Sequence, residues 1–122
     1  MNSSATPAEP LSPAVFHILL ALATTQQHGY GIMKQAETDS DGRVHLGPGT
    51  LYGTIKRLLA QQLIEEAGEQ PDESSNQRRR YYRITPAGQA ALGAELERLE
   101  TALAAAHKHR ILPHHKLNPL AE

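Results

Sequence analysis

Cysteine is absent from this chain, which removes both a disulfide framework and a thiolate metal site as sources of stability or chemistry. Tryptophan is absent too and phenylalanine occurs once, so the core must be assembled from Leu, Ile, Val and Ala. Each large aliphatic that is buried contributes roughly 1.5 to 3 kcal/mol. A core this thin gains from association with a second copy. No apolar run approaches the roughly 20 residues of a membrane span, and the longest lies around Ile18 to Ala23. The start, Met1-Asn-Ser-Ser, carries no basic segment of the secretory kind. The expectation is a soluble, cytoplasmic protein without membrane contact. An excess of one sign of charge is also missing, since 12 Lys and Arg stand against 13 Asp and Glu for a net charge of -1. Contact with a polyanion therefore has to come from a local basic face rather than from the field of the whole molecule.

A length of 122 residues accommodates one small domain with an appendage. Residues 1–10 lack periodicity and read as a disordered arm. Ser12-Pro13 has the cap and first-turn chemistry of a helix start, and Leu11, Ala14, Val15, Ile18, Leu19 and Leu22 then recur at helical spacing to about Gln26. His28-Gly-Tyr-Gly interrupts the pattern. A second, shorter helix follows, marked by Ile32, Met33 and Ala36 and ended by Asp39-Ser-Asp-Gly42. Pro48 opens a third, whose buried stripe is Leu51, Ile55, Leu58 and Leu59. Thr50, Gly53, Thr54, Lys56 and Arg57 are thereby turned to solvent, with Tyr52 at the boundary. Leu63 to Ala67 and Arg78 to Ile84 read as two strands around a polar loop, Gly68 to Gln77. The period of two puts Tyr82 and Ile84 on the packed face and Arg79, Tyr81 and Arg83 on the other. Thr85-Pro86 starts a last helix, in which Leu92, Leu96, Leu99 and Leu103 alternate spacings of four and three. So narrow a seam needs a partner, and a second copy is the simplest one.

The fold class expected is mainly α with a small β-hairpin. A winged helix-turn-helix spans 11–85, a dimerisation helix 86–110 and a loose tail 111–122. In such a domain the third helix reads base edges and the ribbon holds phosphates. The DNA-binding candidates are Thr50, Tyr52, Thr54, Lys56 and Arg57 on the helix, and Arg78, Arg79, Arg80, Tyr81 and Arg83 on the ribbon. The dimerisation candidates are Leu92, Leu96, Leu99 and Leu103. No phosphate loop, nucleophile elbow or HExxH is present, so neither catalysis nor a cofactor is expected. A protein-binding winged helix is the alternative that the net charge and the acidic wing loop favour. His107, His109, His114 and His115 raise a metal-sensing regulator, but residues two apart on a helix project about 200° apart, which opposes a shared ligand set. His28 reads as a turn or helix-end residue of the kind that suits a helix C-terminus.

Taken together, His28-Gly-Tyr-Gly-Ile32, Pro48-Gly-Thr-Leu-Tyr52, Leu58 through Leu63-Ile64, and Arg80-Tyr-Tyr-Arg-Ile-Thr85 with Gly88 resemble the PadR family of bacterial transcriptional regulators. The resemblance runs from the first helix to Leu103 and fits the short branch with a single C-terminal helix. It implies a homodimeric repressor on pseudo-palindromic operator DNA. Independently of the resemblance, a dimer interface floored by Leu92 to Leu103 offers a place for a small apolar or phenolic effector. Two departures stand out. Gly53 occupies a place where the family commonly has proline, and the wing loop is Gln70-Pro-Asp-Glu-Ser-Ser-Asn76 where glycine and basic residues are usual. Carboxylates there repel phosphate, so contact is expected from the arginine-rich return strand rather than from the tip.

Overall fold

The computed structural model describes residues 9–71 and 78–112. The arm at 1–8, the wing tip at 72–77 and the tail at 113–122, with His114 and His115, lie outside the described residues. Helix α1 (Pro13–Thr24) starts where Ser12 accepts a hydrogen bond from Val15 N at 3.2 Å. It buries Ile18, Leu19, Ala21 and Leu22 and stops two residues before the expected end, with Thr24 Oγ1 donating to the Ala21 carbonyl at 2.7 Å. Strand β1 (Gln27–His28) follows, too short to leave a pattern in the sequence. Helix α2 (Gly29–Asp39) is capped by His28, whose Nδ1 accepts from Gly31 N at 3.2 Å. His28 therefore sits at a helix N-terminus, not a C-terminus, where an accepting neutral ring suits the positive end of the dipole.

Helix α3 (Pro48–Ala60) buries Leu51, Thr54, Ile55 and Leu58 against α1 and α2. Strands β2 (Ile64–Pro71) and β3 (Arg78–Ile84) pair antiparallel, and β1 adds to the far side of β3. The sheet is thus three-stranded in the order β1-β3-β2 rather than a bare hairpin. β2 also outruns its expected end at Ala67. Glu66 pairs with Tyr82 and Glu69 with Arg80, so Ala67 and Gly68 together oppose Tyr81. This bulge is possible because Gly68 takes a φ of 93°.

Helix α4 (Pro86–Lys108) is fastened to the domain at its first turn. The Thr85 hydroxyl accepts from Gly88 N at 3.0 Å and donates to the Gln62 carbonyl at 2.7 Å, while Thr85 N donates to the Leu63 carbonyl at 3.1 Å. Gly88 is buried in the same contact. A Cβ there would strike the Leu63 carbonyl oxygen and lie 2.7 Å from Ile84 Cγ1. Farther along, Leu92 is 5 % exposed and belongs to the chain's own core, so the solvent-facing part of the leucine seam begins at Leu96. Glu95, also buried, accepts from Leu11 N at 3.1 Å and from Arg98 Nε and Nη2 at 3.2 Å each. A carboxylate removed from water requires such partners, and these tie Leu11, ahead of the Ser12 cap of α1, to the middle of α4. Among the described residues, no helix is long and apolar enough to cross a membrane.

Candidate nucleic-acid interface

The outer face of α3 carries Thr50, Gly53, Lys56, Arg57 and Ala60, all exposed and recurring at helical spacing. Pro48 fixes the first turn without wasting a backbone donor, and the buried stripe turns this face away from the core. Thr54 does not share it. The polar bias of the sequence assigns Thr54 to solvent, yet it is 2 % exposed, with Oγ1 donating to the Thr50 carbonyl at 2.7 Å. A hydroxyl satisfied by its own helix can be buried at small cost. Its remaining contact is with Arg57 Nη2 at 3.4 Å, so Thr54 orients a neighbour instead of reaching outward.

Tyr52 is half exposed and its ring lies against Gly29, where an added Cβ would be 2.8 Å from Cζ. That contact sets the first turn of α3 beside the start of α2. Gly53, by contrast, has open space at its missing Cβ. Gly53→Ala should therefore raise stability by about 1 kcal/mol through the lower entropy of the unfolded chain and better helix propensity. A thermal melt checks this, and an unchanged or lowered midpoint would contradict it.

The wing differs from a simple basic ribbon. Arg83 Nε lies 2.6 Å from Glu65 Oε2, Arg80 reaches Glu66 at 3.7 Å and Glu69 at 3.9 Å, and Arg78 Nε is 3.4 Å from Glu69. The ladder register puts Glu65 across from Arg83 and Glu69 across from Arg80, with Glu66 beside them opposite Tyr82, so the return strand faces counter-charges on its neighbour. Tyr82 is buried beneath. Its burial pushes the phenol above the usual tyrosine value, partly offset by the Arg80 guanidinium.

Arg79 leaves the β2 side and places its guanidinium 5.7 Å over the Tyr30 ring, where Lys34 Nζ also lies, at 5.6 Å. Tyr30 is stacked on His28 at 6.5 Å, and His28 meets the half-buried Tyr81 edge-on at 5.2 Å. Tyr30 and Lys34 are one turn apart on α2, a spacing visible in the sequence. Their meeting with Arg79 depends on β1 pairing His28 with Tyr81, which the sequence does not reveal. On α4, Leu96, Leu99 and Leu103 are 43 %, 46 % and 47 % exposed along one side. Leu99 continues into a hollow of about 280 Å³ with Leu11, Pro13, Phe16, His17 and Glu95.

Residues 18–94 match the family described as "Transcriptional regulator PadR-like family". The chain belongs to that family. PadR-like proteins are regulators of transcription rather than enzymes, in agreement with the missing catalytic motifs. The chain is 36 % identical over 84 residues to the transcriptional regulator Rv3488 of Mycobacterium tuberculosis, covering 69 % of this chain and 73 % of the relative. It is 41 % identical over 78 residues, 64 % of this chain, to an uncharacterized 37.1 kDa protein in transposon TN4556 of Streptomyces fradiae, of which it spans only 20 %. The PadR fold itself is seen in the crystal structure of Bacillus subtilis PadR in complex with operator DNA. That chain is 18 % identical, with a TM-score of 0.61, over 72 % of this chain and 48 % of the other. In this PadR-like chain the winged helix-turn-helix with its small antiparallel sheet is therefore established.

Proposed function

We propose that the chain binds operator DNA sequence-specifically as a homodimeric repressor. The observation that carries this reading is the outward face of α3, where Thr50, Lys56 and Arg57 stand at helical spacing on the second helix of a helix-turn-helix. Such a helix enters the major groove, and arginine or lysine reads guanine there. The operator-bound structure of Bacillus subtilis PadR supports the same use of the fold. Residues 11–85 form the DNA-binding unit and 86–110 the dimerisation helix. The half-exposed Leu96, Leu99 and Leu103 support a second copy packed along α4, because water-facing leucines in a row are an interaction surface. Two reading helices about 34 Å apart then fit successive turns of one face of the duplex. A small apolar or phenolic molecule, bound where the two copies meet, releases the operator.

The test is enrichment of duplexes from a random-sequence pool, followed by footprinting. Recovery of a pseudo-palindrome supports the reading, and failure to enrich any duplex sinks it. Lys56→Ala and Arg57→Ala should each relax the choice of base at one symmetric pair of positions, costing roughly 10- to 100-fold in affinity for the selected site. A uniform loss on all sequences would instead assign these side chains to phosphates. One observation favours a protein-binding winged helix as the second reading, namely the pairing of Arg78, Arg80 and Arg83 with Glu65, Glu66 and Glu69. An empty enrichment experiment would promote it.

A further inference from the structure

We infer that Thr54 is a positioning residue of the reading helix: its buried hydroxyl oxygen holds the guanidinium of Arg57 in the pose in which Arg57 meets DNA. The inference rests on the DNA-binding reading of α3. Its first support is that the hydroxyl is fixed. Thr54 is 2 % exposed, on the side of α3 that carries Leu51, Ile55 and Leu58, and its Oγ1 donates to the Thr50 carbonyl at 2.7 Å. A threonine bonded to its own helix in this way is held in one χ1 rotamer. The hydroxyl proton is thereby committed, and the oxygen is left as an acceptor at a defined place.

The second support is what that oxygen meets. Residues three apart are neighbours on a helix surface, and Arg57 Nη2 donates to Thr54 Oγ1 at 3.4 Å. Arg57 is exposed, and an untethered arginine on a helix surface samples many rotamers that it must give up on binding. A tether to a buried atom removes part of that loss in advance. The third support is the kind of partner. The oxygen is neutral, so it directs Arg57 without cancelling its charge, in contrast to the Glu65 carboxylate 2.6 Å from Arg83 Nε. It also occupies one donor of the guanidinium fork, and the others suffice for a bidentate contact with a guanine edge. At 3.4 Å the bond is long, so the expected effect is several-fold rather than a hundredfold.

The experiment is a double-mutant cycle on the duplex that the wild-type protein enriches from a random pool. Thr54→Val keeps the branched shape and removes the hydroxyl. The Thr50 carbonyl retains its backbone bond within the helix, so no buried group is orphaned and the melting midpoint should not fall. Binding should weaken by about 3- to 10-fold, reproducing in milder form the change in base choice caused by Arg57→Ala. The choice that depends on Lys56 should stay as it is, since residues two apart on a helix do not face each other. Thr54→Ser, which keeps the oxygen, should restore most of the affinity. Beside Arg57→Ala, Thr54→Val should have no further effect, because the two side chains act as one contact. Wild-type affinity in Thr54→Val overturns the inference, and so does a loss that persists undiminished beside Arg57→Ala, which would place the effect in the helix itself. If the wild-type protein enriches no duplex, the DNA reading fails first and the role of Thr54 with it.

Discussion

Replacing Leu96 and Leu99 together by Asp is expected to give a folded monomer that has lost tight operator binding. These side chains are about half exposed in the single chain and belong to none of its buried cluster. The double change should therefore leave the melting of the domain nearly intact, unlike a change at Leu92, which lies in the core. What it is expected to remove is the second copy. Tethering two DNA-binding units raises the affinity of the pair over either alone by about 10²- to 10⁴-fold. Sedimentation should show the monomer, and gel shifts should show a loss within that range. A dimer that persists in sedimentation would disprove the α4 seam, and a monomer with unreduced affinity would disprove the need for it.

The second large effect is expected at Gly88. Its φ is ordinary, so the constraint is space: α4 begins so close to the turn after α3 that a methyl group collides with the Leu63 backbone and the Ile84 side chain. Backbone cannot rotate aside as a flexible side chain can. Gly88→Ala must push the helix outward, stretching the two hydrogen bonds of the Thr85 hydroxyl, and overpacking of this kind costs about 1 to 3 kcal/mol or more. Against a total stability of roughly 5 to 15 kcal/mol for a domain, Gly88→Val should leave little folded protein at physiological temperature. Urea melts of the alanine and valine variants, with midpoints falling in that order, check this. A wild-type midpoint in Gly88→Ala would show that α4 can be displaced freely.

Helix starts were legible in the sequence because their chemistry is local. Ser12-Pro13, Pro48 and Thr85-Pro86 open α1, α3 and α4 where expected, each by a cap or a ring-fixed first turn. Helix ends were harder to read. After α3 and α4 the left-handed residue is Gln62 and Arg110, neither of them the glycine that usually marks such an end, whereas after α2 the left-handed Asp41 is followed by Gly42 at a φ of 81°. After α3, Leu63 N reaches the Leu58 carbonyl at 3.0 Å and Gln62 N the Leu59 carbonyl at 3.0 Å, a closure visible only in the backbone. Within the candidate site, the periodicity of α3 correctly exposed Thr50, Lys56 and Arg57, and it misplaced Thr54 because composition does not tell a solvated hydroxyl from one bonded to its own helix. The wing shows a different limit. Glu65, Glu66 and Glu69 follow no pattern along the sequence, and only the folded ladder, with its bulge at Gly68, brings them within reach of Arg78, Arg80 and Arg83.

The fastening of Thr85 and Gly88 to the turn at Gln62 and Leu63 has a geometric consequence for a dimer joined through α4. With no slack between the end of α3 and the start of α4, the two helices behave like the fixed arms of a pair of calipers. The jaw opening, which is the span from one α3 to its counterpart, is then adjusted at the pivot among Leu96, Leu99 and Leu103. In such a dimer, changes of side-chain volume at that pivot are expected to retune the span between the two α3 helices without any change in α3 itself.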